Sequence, residues 1–168
     1  MFPSLPDSAR VWIFAASRAL SPVEQQDVLK RLQPFLAGWR SHGRPVPAEA
    51  RFQADRLLVV GAHIEDGLNA GVSGCGIDAL THAVEAAGAS DGIEWLGGMH
   101  VLYRTPAGEL RAVSRPEFRQ QVKEGAITPD TLVADTTIGD LETLRQQGIE
   151  RPISESWHAR VFRVPTAA

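Results

Sequence analysis

Cys75 is the only cysteine of the chain, and it stands in Ser73-Gly74-Cys75-Gly76, just where a helical pattern begins. The amide groups and dipole of a helix start stabilise a thiolate and lower its pKa. The same residue also reads as a small buried side chain at a tight Gly-x-Gly turn. Asp78 and His82 follow Cys75 at spacings of three and four, so the three share one helix face, away from Ile77, Leu80 and Val84. A Cys–His pair could activate a nucleophile. However, seven residues of helix span roughly 10 Å, so Asp78 or another residue would have to bridge them. The alternative for this face is a solvated polar surface.

Other groups give weaker signals. His63, Cys75 and His82 would converge on a metal only if the helix packs beside the preceding strand, and they lack ligand spacings such as C-x-x-C or H-E-x-x-H. No metal or other cofactor is therefore expected. His42, His100 and His158 are scattered. The glycine-rich stretch from Gly61 to Gly76 could cradle an anion at the helix start, with Ser73, Gly74, Cys75 and Gly76 as ligand-binding candidates, or simply form a connection. Trp12, Trp39, Trp95 and Trp157 read as core or interface anchors, with base stacking as the sharper alternative. Ser156-Trp157-His158-Ala159-Arg160 shows no catalytic arrangement, and a G-x-S-x-G elbow is missing.

The elements that would position these residues follow from periodicity. Val11–Ala16 is an apolar strand. Ser21-Pro22-Val23-Glu24 opens a helix with a capping box, and Val28, Leu32, Phe35 and Trp39, with Leu29 and Leu36, form its apolar face. Pro34 should kink or divide that helix, which ends between Gly38 and Gly43. Arg51–Ala54 and Leu57–Ala62 form a hairpin around Asp55-Arg56, and Asp66–Gly71 is a loop. A second helix, from about Gly74 to Ala87, buries Ile77, Leu80, Val84 and Ala87. A strand from Glu94 to Arg104 completes a βαββαβ order, the ferredoxin-like arrangement. Beyond the turn at Pro106–Glu109 come a short strand from Glu109 to Val113, a helix opened by a second capping box at Ser114-Arg115-Pro116-Glu117 and ending at Gly125, and a strand Leu132–Ala134. A helical turn at Leu141–Arg145 and a strand from Trp157 to Val164 finish the chain.

Three stretches resemble a family of small bacterial proteins of unknown function whose members often carry the label "ABC transporter ATPase". They are Arg10–Ile13, Phe35–Trp39 with His42-Gly43, and Ser73–Asp78. The label implies a loop of the form G-x-x-x-x-G-K-[ST], which cradles phosphates and holds magnesium. The only lysines are Lys30 and Lys123, and neither follows a glycine loop, so the chain is not read as a P-loop ATPase. A second resemblance, over about Val101 to Leu144, is to GYF-type modules. It rests on Val113-Ser114, Glu117-Phe118, Val122, Gly125, Ile127 and Pro129–Val133, with Asp135-Thr136-Thr137 where a tryptophan is usual. It implies a strand pair, a short helix and a turn packed together.

Composition bounds the rest. With 168 residues, 43% hydrophobic and 22% charged, the chain can bury a core without disulfides. A net charge of −3 and the absence of a Lys/Arg run argue against nucleic-acid binding. A single cysteine suits a reducing compartment, the N-terminus lacks a basic n-region, and no apolar run approaches the roughly 20 residues of a membrane helix. The reading is an α+β protein: a ferredoxin-like domain over 1–104, and a small GYF-like domain over 105–168. Its expected role is that of a non-catalytic cytoplasmic binding or interaction protein for a partner protein or small molecule. The alternative is a thiol-dependent enzyme or redox sensor centred on Cys75.

Overall fold

The computed structural model describes residues 1–64 and 74–165. It is an α+β structure built around two four-stranded antiparallel sheets.

The first sheet has the order β4-β5-β1-β6. Its strands are β1 (Arg10–Ala16), β4 (Ala48–Gln53), β5 (Leu57–Ala62) and β6 (Trp95–Leu96). The continuous apolar run of β5 is buried throughout, because both faces of the sheet are covered. Residues along a strand point alternately to either side. Leu58, Val60 and Ala62 therefore join the core beneath helices α1 (Pro22–Gly38) and α2 (Gly74–Ala89), while Leu57 and Val59 face the second sheet. Strand β1 divides the same way, with Trp12, Phe14 and Ala16 on the helix side and Val11, Ile13 and Ala15 on the other.

Helix α1 starts as its sequence dictates. Ser21 Oγ accepts from the Glu24 amide at 3.3 Å, and Glu24 Oε2 accepts from the Ser21 amide at 2.8 Å. Of the two outcomes expected at Pro34, division does not occur: the helix runs through it. An internal proline costs about 3 kcal/mol. Burial of Leu32, Leu36 and Trp39 around it contributes about 1.5–3 kcal/mol for each large side chain, enough to hold the helix through that point. The stretch after it contains a short hairpin that the sequence did not reveal, β2 (Arg40–Ser41) with β3 (Arg44–Pro45), and His42 sits in its turn.

The second sheet has the order β10-β9-β7-β8. It comprises β7 (His100–Arg104), β8 (Leu110–Ser114), β9 (Leu132–Ala134) and β10 (Glu150–Pro152). The single strand expected over Glu94–Arg104 is thus two strands in different sheets. β6 pairs with β1 and β7 with β8 and β9, with Gly97-Gly98 between them. Helix α3 (Arg115–Lys123) starts at Ser114, whose Oγ accepts from the Glu117 amide at 3.3 Å, and Gly125 follows it at φ +76°. Helix α4 (Leu141–Gln147) is capped by Asp140, and a 3-10 turn (Ile153–Glu155) leads into α5 (Trp157–Phe162). This last helix replaces the strand expected from Trp157 to Val164. Its aromatic and β-branched residues suggested a strand, but Trp157 and Val161, and His158 and Phe162, are spaced by four and lie one above the other on a helix.

The two sheets share a core. Val11, Ala15, Leu57 and Val59 of the first pack with Leu102, Leu110 and Ala134 of the second, and Leu141, Leu144 and Ile149 close one end. Phe2, Leu5 and Ala9 fill the same core from the N-terminal segment. The outer face of the second sheet, with Val101, Tyr103, Val113 and Val133, is covered by α3 and α5 through Phe118, Val122 and Phe162. The layers therefore run helices, sheet, sheet, helices. Among the described residues, no helix is long and apolar enough to cross a membrane.

Candidate functional site

The candidate site at the start of α2 lies partly outside the described residues. Ser73 lies outside the described residues, as does the Asp66–Gly71 loop. Gly74, Cys75 and Gly76 form the first turn of α2, and the Cys75 side chain is not among those described. Asp78 and His82 are both exposed, as a solvated face would have them. Among the described residues, no three His, Cys, Asp or Glu side chains gather to hold a metal ion. His63 is half-buried beside β5, its amide bonded to the Pro47 carbonyl at 2.9 Å. Gly61, at the head of the glycine-rich stretch, is closed off. A Cβ there would lie 2.9 Å from both Phe2 and Leu5 side-chain carbons, so no ligand reaches its backbone.

The tryptophans are packing residues in three of four cases. Trp12 and Trp39 have ring centroids 5.9 Å apart, Phe35 lies 5.3 Å from Trp39, and Trp95 packs with Phe14 and Phe52. All lie in the core between the first sheet and its helices. Trp157 differs, because it belongs to a buried polar cluster that the sequence reading did not assemble.

That cluster centres on Asp135, at the end of β9. Its Oδ1 accepts from the Thr137 amide at 3.0 Å, from the Thr137 hydroxyl, and from Trp157 Nε1 at 3.1 Å. Its Oδ2 accepts from Arg151 Nη2 at 3.2 Å. Burial pushes the carboxyl pKa up. The Thr137 hydroxyl, the Trp157 indole, the Thr137 amide and the Arg151 charge outweigh that and hold it below its ordinary value. Next to it, Ser156 Oγ and His158 Nδ1 are 2.7 Å apart, and the His158 ring stacks on Trp157 with centroids separated by 3.7 Å. Burial lowers the His158 pKa to about 4. The Asp135 charge opposes the shift, and Arg151 and Arg115 add to it.

Serine, histidine and aspartate together suggest acyl-transfer chemistry, but the geometry does not provide it. A general base works best with a pKa near the operating pH, and His158 is far below that. Ser156 and His158 are also buried, at 8% and 3% exposure, where a substrate has no access. The aspartate is spent on Thr137, Trp157 and Arg151. The cluster ties α5 to the end of β9. The available signal was local: Asp135-x-Thr137 is the spacing of an Asx turn. The indole it meets comes from Trp157, later in the chain.

The knot sets the position of α5 and so shapes a groove between α3 and α5. Arg119, Val122 and Lys123 line one wall, and Val161, Phe162, Arg163 and Pro165 line the other, around a cavity of about 520 Å³. Phe162 is fixed from below by an edge-on contact with Phe118 at 4.8 Å. The Arg119 guanidinium lies 5.6 Å from the Phe162 ring centre. Val161 is 41% exposed on the rim. Arg163 holds a left-handed conformation at φ +53°, ψ +46°, usually a glycine position at a helix end. The turn sends Val164 back into the core and leaves the arginine at the groove. A second cleft of about 200 Å³, at the seam of the two sheets beside His100 and Thr137, is below the usual size of a small-molecule site.

Comparison with protein-family models, curated proteins and solved structures returned no match, so the groove's geometry carries the functional argument.

Proposed function

We propose that the protein is a non-catalytic binding module acting in the cytoplasm, and that its ligand seats in the α3–α5 groove. The observation that carries this reading is an apolar floor, Val122 and Phe162, set in a cavity of about 520 Å³ with Val161 exposed at its edge. Such a cavity falls within the range of about 300–1,000 Å³ common to ligand sites. The first sheet, with order β4-β5-β1-β6 and both helices on one face, supports a ferredoxin-like reading of the N-terminal part. Strands β7 and β8, helix α3 and the turn into β9 support a GYF-like reading of the C-terminal part. On this reading the first part is a platform and the second presents the groove.

The test is Val161→Asp. Val161 is exposed, so the substitution should leave the unfolding midpoint nearly unchanged, while placing a charge where an apolar group of the ligand would sit. Loss of binding at an intact fold supports the reading. Unchanged binding by this variant removes the groove from consideration.

A further inference from the structure

We infer that the occupant of this groove is an acidic polypeptide segment that inserts one apolar side chain between carboxylates. The inference rests on the binding reading above and names the partner's chemistry.

Three cations surround the apolar floor: Arg119 and Lys123, one turn apart on α3, and Arg163 at the end of α5. None is among the six ion pairs formed by the described residues. Among the described residues, no carboxylate lines the groove. Glu124, next to Lys123, is turned to Gln120, whose Nε2 donates to it at 2.7 Å. The surface is therefore locally positive on a chain whose net charge is −3. That contrast steers an acidic partner to this face and disfavours the rest of the surface.

The distribution of polarity selects a polypeptide. Small-molecule sites place a few polar groups inside the cavity to fix orientation. Here the polar groups are cations lining a groove whose floor is apolar, an arrangement closer to the apolar centre and polar rim of a protein interface. A nucleic-acid backbone would satisfy the cations but has no apolar side chain for the space over Phe162. Three phosphate contacts on an acidic chain are also a small electrostatic footprint.

The experiment uses the full chain and two fluorescent acetylated pentapeptides with a central leucine, flanked by glutamates in one and by glutamines in the other. Three exposed charge pairs should favour the glutamate peptide about tenfold, and that preference should shrink as salt rises from about 50 to 500 mM. Arg119→Glu with Lys123→Glu, and separately Arg163→Glu, should abolish the preference while amide NMR spectra show an intact fold. Equal binding of both peptides, both lost in Val161→Asp, would overturn the acidic partner and leave the binding groove standing. If neither peptide binds, or Val161→Asp has no effect, the binding reading fails as well. Tighter groove binding by a short oligouridine would make the occupant a nucleic acid. Charge-dependent self-association in sedimentation would make it a second copy of the chain. Either result overturns the inference.

Discussion

His158→Phe tests whether the buried polar knot controls stability in acid. In the folded protein His158 titrates near 4, against an ordinary 6.5. A base with a depressed pKa is neutral in both states above pH 6.5, so its environment costs nothing there. As the pH falls below 6.5 the unfolded chain takes up the proton and the folded chain resists, until about pH 4. Stability is therefore lost across that window and is level again below it. The shift corresponds to about 3 kcal/mol at most, at 1.36 kcal/mol per pH unit. Solvent screening is small because His158 is only 3% exposed. Phenylalanine keeps a ring between Trp157 and Phe162 but cannot titrate. The lost contact to Ser156 shifts stability by a roughly constant amount. The assay is urea unfolding of both proteins from pH 7.5 to 4. Wild type should lose about 3 kcal/mol relative to the variant over this range. If the two curves run parallel within about 0.5 kcal/mol, the usual error of such comparisons, the histidine is not buried neutral and the account of the knot is wrong.

Two further substitutions probe the frame. Gly61→Ala should destabilise by about 1–3 kcal/mol through overpacking, since its Cβ would sit 2.9 Å from Phe2 and Leu5; an unfolding midpoint equal to wild type would mean that the N-terminal segment yields freely. Ser21→Ala and Ser114→Ala should each cost about 0.5–2 kcal/mol. Ser21→Ala should cost more, because only Ser21 sits in a reciprocal box, with Glu24 held to a pKa of about 2 by Arg18 and the Ser21 amide. Equal denaturant midpoints for both variants and wild type would refute the caps.

Elements with local signals were legible in the sequence. The Ser21 box, the hairpin turn at Asp55-Arg56 and the Ser114 cap depend on neighbours within a few residues. The first two stand where their residues placed them, though the first hairpin strand runs over Ala48–Gln53, while at Ser114 only the serine half of the expected box forms. The failures came where distant packing decided. Val101, Leu102 and Tyr103 continue an apolar run from Trp95, and only the Gly97-Gly98 break tells that the chain changes sheets there. Helix α5 was hidden because Trp157, Val161, Phe162 and Val164 suit a strand by composition, and their helical spacing covers fewer than two turns. The groove was illegible for the same reason. Arg119 and Lys123 announce a charged helix face, but nothing local says that Phe162 and Arg163, some forty residues later, lie opposite.

The N-terminal segment gives the molecule an order of assembly. Arg145 donates to the carbonyls of Met1, Phe2 and Leu5 and pairs with Asp7. The Ala9 carbonyl accepts from the Leu141 amide, and the Gly139 carbonyl accepts from the Val11 amide. On a ribosome that adds about 5–20 residues per second, this segment must wait roughly 7–28 seconds for the residues that secure it. In that interval Phe2 and Leu5 have no permanent home, and the inner face of the first sheet, Val11, Ala15, Leu57 and Val59, stands open to solvent. The nascent chain thus carries an adhesive surface until α4 emerges, and anything that slows translation before residue 145 prolongs its exposure.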